Sequence, residues 1–185
     1  MALSKIDVAN MVTGAVPVAN GGTALTSGTS GQFLKFTGST TLASAAAGKL
    51  GQMVSVQKDG GAPSTSSTSY VDMTGLTVNI TPSASNSKIL CMMAVNGLSC
   101  ANDNLDAISI KILYGSTDVT LIENSLYQTG TGAENENVTL IGVVDAGGTS
   151  EVTVKGQFKN RQSNAISFNS TTNDESDLVV MEILA

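Results

Sequence analysis

Ser85-Asn86-Ser87-Lys88-Ile89-Leu90-Cys91-Met92-Met93-Ala94-Val95-Asn96-Gly97 contains the longest apolar run of the chain, Ile89 to Val95. Polar turn formers bound it on both sides. A run of this length with such flanks predicts a central β-strand covered on both faces. The neighbouring segments carry the other strand signature, a period of two. Leu76, Val78 and Ile80 alternate with Thr77 and Asn79 until Pro82 stops the run. Ile108, Ile110 and Ile112 alternate with Ser109 and Lys111, and Val179, Met181 and Ile183 alternate near the C-terminus. Val152, Val154 and Phe158 alternate less regularly, with Gly156 read as a bulge. Gln52–Lys58, Ser69–Met73, Asp118–Ile122, Asn137–Val144 and Ala165–Asn169 are further strand candidates. About eight to ten short strands with turn residues between them predict an all-β sandwich or barrel. No segment sustains a 3.6-residue period, and the short Ala-rich piece Leu42–Ala47 is the only helix candidate.

Composition narrows the function. The chain has 185 residues, 41% of them hydrophobic, 13% charged and 4% aromatic, with no Trp and no His. Lacking histidine, it cannot build a Ser–His–Asp or Cys–His nucleophile, and it loses the commonest transition-metal ligand. Nine basic residues stand against 15 acidic ones, a net charge of −6. That balance predicts no nucleic-acid partner, because phosphates need a basic face. It also disfavours an anionic membrane surface. The apolar runs are far shorter than the roughly 20 residues of a spanning helix, so no membrane insertion is expected. The N-terminus carries no secretory signal, so synthesis as a soluble chain in the host cytoplasm is expected.

The candidate sites are weak. Glu134, Glu136, Asp174, Glu175 and Asp177 could pair as glycosidase carboxylates, but they read as solvated loop residues. Asn102–Asp106 and Asn173–Asp177 are oxygen-rich stretches that lack the glycine and terminal glutamate of a calcium loop. Cys91 reads as a buried small hydrophobe, and Cys91 and Cys100 do not form a disulfide framework. The sequence therefore predicts no catalytic residues, no cofactor and no metal.

Residues 1–49 differ from the rest. They are rich in Gly, Ala, Thr and Ser, with isolated apolar residues such as Val12, Leu25 and Phe36. Ordering a residue costs roughly 1–2 kcal/mol, and burying a scattered Val or Leu recovers only about 1.5–3 kcal/mol. Such a segment cannot fold on its own core. It is either disordered or ordered against something else, including copies of itself. The chain is thus read as an extended arm, residues 1–49, and a compact domain, residues 50–185.

Within the arm, Val16-Pro17-Val18-Ala19-Asn20-Gly21-Gly22-Thr23 combines an extended start imposed by Pro17 with a turn at Asn20-Gly21-Gly22. It resembles the PVANGGTG element of bacteriophage tail-fibre and related virion proteins. As in that family, a Gly-x-x-Gly-Gln-x-Leu phrase follows, here Gly28-Thr29-Ser30-Gly31-Gln32-Phe33-Leu34; Ala24 stands where the family more often has Gly. Leu50–Val56, Thr65–Leu76, Ile80–Ser83, Ser87–Leu90 and Val180–Ala185 are similar to strands of the C-terminal domain of such proteins. Residues 100–175 match in pattern only.

The resemblance implies a jelly-roll-like β-sandwich knob carried on an extended N-terminal arm and presented as a homotrimer. It implies a non-enzymatic protein of the virion surface. Val16, Pro17, Val18, Asn20, Gly21, Gly22, Phe33 and Leu34 are then the candidate attachment residues. Two placements follow. A capsid decoration protein, cement or head fibre, would use the arm to hold the major capsid protein. A short tail fibre would attach to a tail or baseplate protein and touch a host-surface glycan with its knob loops.

Overall fold

The computed structural model describes residues 33–38, 41–45, 49–100, 106–127 and 134–184. The chain divides between Gly48 and Lys49 into two units. In the first, strands β1 (Phe33–Gly38) and β2 (Thr41–Ala45) form an antiparallel hairpin in which Leu34 faces Ser44 and Phe36 faces Leu42. The Ala-rich piece expected as a helix over 42–47 is therefore strand through Ala45. Helix nucleation is unfavourable in so short a piece, and pairing with β1 satisfies its backbone instead.

The second unit holds eight long strands: β3 (Leu50–Asp59), β5 (Val71–Ile80), β6 (Lys88–Cys100), β7 (Ala107–Tyr114), β8 (Thr117–Tyr127), β9 (Glu134–Asp145), β10 (Val152–Asn160) and β12 (Glu175–Ile183). The two-residue strands β4 (Ser64–Thr65) and β11 (Ile166–Ser167) extend the row beside the end of β6. One sheet runs β5-β10-β7-β8. The other runs β3-β12-β6-β9, and every pairing is antiparallel. Counting only the long strands in chain order, the sheets are 1-8-3-6 and 2-7-4-5, two interleaved Greek keys. The fold is all-β, a jelly-roll sandwich.

Alternation builds the core between the sheets. Ile89, Cys91, Met93 and Val95 of β6 face inward and meet Ile108, Ile110 and Ile112 of β7 in one buried cluster. Both cysteines are free and buried. The expected bulge at Gly156 lies on the partner strand: Lys155 faces Thr77 and Gln157 faces Asp72, so Met73–Leu76 of β5 accommodate the irregularity. Gly156 itself makes room, since a Cβ there would lie 2.5 Å from the Met93 sulfur. Gln52–Lys58, Asp118–Ile122 and Asn137–Val144 fall within β3, β8 and β9. Ser69–Met73 and Leu76–Ile80 merge into β5, bent at Gly75 where φ is +89°. Ala165–Asn169 shrinks to β11.

Chain direction fixes two ends of the sandwich. Leu50, Ile80, Lys88, Asp145, Val152 and Ile183 share one end. There the chain enters and leaves side by side, with the Leu184 amide donating to the Lys49 carbonyl at 2.6 Å. Ala107, Tyr127 and Asn160 lie at the opposite end.

Candidate functional site

The two outer faces of the sandwich differ sharply. On the β5-β10-β7-β8 sheet, most outward side chains are polar and several are matched to one another, with Leu121 an exposed apolar exception. Lys155 donates to Asp72 at 2.8 Å, Gln157 donates to the same carboxylate at 2.7 Å, and Lys111 donates to Asp118 at 2.8 Å. The Lys155 ammonium, with help from Gln157, holds the Asp72 carboxyl below its ordinary pKa against the opposing effect of burial.

The β3-β12-β6-β9 sheet presents the opposite chemistry. Register aligns Met53, Met181, Leu90 and Val143 across the four strands, and next to them Ser55, Val179, Met92 and Ile141. Both rows point away from the core. Met53 is 59% exposed, Ile141 60% and Val143 55%. Within the second unit, nothing among the described residues covers this face. The run Ile89–Val95 is therefore buried on one face only: Leu90, Met92 and Ala94 are half-buried on the outer side. Likewise the alternating Val179, Met181 and Ile183 line the outside, while Leu178, Val180 and Glu182 point into the core.

The buried carboxylate of Glu182 explains that phase. Its Oε1 accepts from the Ser83 amide and hydroxyl, each at 2.8 Å, and its Oε2 accepts from Gln52 at 2.9 Å. Burial alone would raise its pKa, but these donors more than offset that and bring it down to about 2. The charge is paid for by structure: it pins the 81–87 connection between the two sheets.

Of the candidate attachment residues, Val16, Pro17, Val18, Asn20, Gly21 and Gly22 lie outside the described residues. Phe33 and Leu34 lie on β1 with their side chains 67% and 52% exposed, and Phe36 is also exposed. The hairpin thus shows large apolar side chains on both faces, although an isolated hairpin is marginal in water.

The acidic candidates do not converge. Glu134, Glu136, Glu175 and Asp177 sit on β9 and β12 rather than in loops, because ladder pairing captures the polar strand ends. Asp174 accepts from the Thr171 amide at 2.8 Å and closes a turn. Asp106 is buried and accepts from Asn160 at 3.0 Å and Asn164 at 3.2 Å. Among the described residues no three metal-ligating side chains gather, and no helix is long and apolar enough to cross a membrane.

Sequence reading missed one feature, a cleft of about 250 Å³ lined by Thr68, Ser109, Glu123, Asn124, Lys159 and Arg161. It lies on the polar sheet at the end remote from Lys49 and Leu184. Its residues come from three separate strands and two connections, so no local motif announces it.

No protein family and no curated protein matches the chain. Solved structures give faint likenesses. The vertex protein P5 of PRD1 is 16% identical, with a TM-score of 0.44 over 99% of this chain and 97% of that one. The VP2 subviral particle of infectious bursal disease virus is 12% identical, with a TM-score of 0.43 over 82% of this chain and 42% of that one. This chain therefore spans about two fifths of the bursal-virus protein. A Stig cyclase from Fischerella is 13% identical with a TM-score of 0.31. The first two names belong to components of viral particles; the jelly-roll assignment rests on strand order.

Proposed function

We propose that the protein is a non-enzymatic structural protein of a bacteriophage virion surface, a trimeric capsid decoration protein. In this reading residues 1–49 are the arm that holds the major capsid protein, and residues 50–185 are a knob displayed outside the particle. The observation that carries it is the contrast between one largely polar, internally paired outer sheet face and one with two apolar rows open to water. A contiguous apolar face of this kind marks an interaction surface.

Size indicates how the face is used. Four strands by the two outward rows cover about 250 Å². A stable interface removes about 800 Å² from each partner. The face alone is too small, so the reading assigns the remaining area to the arm, with exposed Phe33, Leu34 and Phe36 among its contacts. The phrase Val16–Thr23 supports the same picture through its resemblance to phage fibre arms.

A second reading, a short tail fibre bound to a tail or baseplate protein, draws support from the cleft at the end remote from the chain's entry. Immunogold labelling of virions separates the two readings. Gold over the head supports decoration, and gold confined to the tail overturns it. Deleting residues 1–49 is expected to leave a folded knob that no longer enters particles; normal incorporation would overturn the arm's role.

A further inference from the structure

We infer that the cleft between β7, β8 and β10 binds an acidic saccharide, a sugar ring carrying a carboxylate. Charge is the first argument. Lys88, Lys111 and Lys155 each face a carboxylate, on Asp145, Asp118 and Asp72. Lys159 and Arg161 have no such partner within 4.0 Å among the described residues. Aromatic rings hold them instead: the Lys159 ammonium lies 4.6 Å from the Tyr70 ring centre, and the Arg161 guanidinium 5.7 Å from that of Tyr127. A ring fixes a cation without neutralising it. In a chain of net charge −6, two cations against the single Glu123 carboxylate leave the cleft with a positive excess, which selects an anion.

Shape is the second argument. Ile108 faces Leu126 and Ile110 faces Ile122, so Glu123–Ser125 bulge out opposite Ser109. The bulge is built in: the Asn124 amide donates to the Ser109 hydroxyl at 3.2 Å, and the Ser125 hydroxyl donates to the Ile108 carbonyl at 2.9 Å. Asn124 sits at φ +54°. Bulges re-aim side chains beside binding sites, and this one puts Glu123 and Asn124 into the cleft wall.

The wall chemistry names the ligand. Asn124, Thr68 and the Glu123 carboxylate match sugar hydroxyls, which both donate and accept. Tyr127, 39% exposed, holds the Arg161 side chain at the cleft, since Arg161 Nη1 donates to its hydroxyl at 3.4 Å. A volume of about 250 Å³ falls below that of drug-sized sites and suits a single ring. Glu123 opposes a second negative charge, which favours a monoanionic carboxylate over a phosphate dianion. The inference does not depend on head or tail placement, because it rests on the cleft alone.

The test is a titration of the full chain with D-glucuronate, followed by amide NMR, with glucose, acetate and inorganic phosphate as parallel arms. Glucuronate is expected to shift the amides of Ser109, Glu123–Ser125 and Lys159–Arg161, and to do so more strongly than any other arm. Arg161→Gln and Lys159→Gln should each weaken binding about tenfold or more, through loss of one charge-assisted hydrogen bond, with unchanged melting temperatures. Equal responses to acetate or phosphate would overturn the sugar assignment. No response to glucuronate, or undiminished affinity in both variants, would overturn the site. Immunogold placement reads none of these outcomes.

Discussion

Replacing Glu182 with glutamine tests the account of the buried carboxylate. Glu182 is 1% exposed and its pKa is brought from 4.5 to about 2 by the donors around it. At about 1.4 kcal/mol per pKa unit, the charged form carries about 3 kcal/mol of stabilisation, a large share of the roughly 5–15 kcal/mol that holds a domain together. The sign follows from linkage. A carboxyl whose folded pKa lies below the unfolded one stabilises fully above the unfolded value. That contribution disappears as pH falls from 4.5 toward 2. Glutamine also turns one acceptor into an NH₂ group that must face either Gln52 or Ser83, both donors. Urea unfolding followed by circular dichroism, at one protein concentration, should therefore show E182Q less stable by about 3 kcal/mol at neutral pH. The gap between wild type and variant should close as the pH is lowered through that window. Equal midpoints at neutral pH, or a gap that persists at pH near 2, would refute the reasoning.

Three other variants probe other parts of the fold. Ile110→Asp places a carboxylate at a fully buried position of β7 and should abolish cooperative unfolding, measured by the same assay, since a buried unpaired charge costs several kcal/mol. Gly97→Ala should cost about 1–2 kcal/mol or more: φ is +58° and the new Cβ would lie 2.9 Å from the Ser170 amide nitrogen, so a melting temperature within a degree of wild type would contradict it. Met53→Asp combined with Ile141→Asp alters two exposed side chains of the apolar face. In the proposed trimer it should leave the knob folded while shifting sedimentation of the full chain toward the monomer, and an unchanged sedimentation would remove that face from the proposed assembly.

Much of the fold was legible because alternation maps directly onto a two-sided sheet. Ile108, Ile110 and Ile112 are inward and buried, as their spacing implies. The less legible parts are those where both strand faces are apolar. Within Leu178–Met181 either phase is plausible, and the choice is settled by Glu182, a residue that looks solvent-facing until Gln52 and Ser83, 130 and 99 positions away, are brought to it. The exposed rows on the other side were hidden for a related reason. Met53, Met181, Leu90 and Val143 become one surface only through register between four strands. The cleft is similarly non-local, because a bulge in β8 is invisible until β7 is laid beside it.

The meeting of Lys49 and Leu184 at one corner has a mechanical consequence. Pulling those two residues apart would peel β3 from β12 one pair at a time, the weakest way to load a ladder. Pulling Lys49 against the remote end of the sandwich instead drags β3 lengthwise along β12, so that the pairs from Met53 to Asp59 share the load. A knob tethered only by its entering strand would thus resist drag and shear far better than one tugged by both termini.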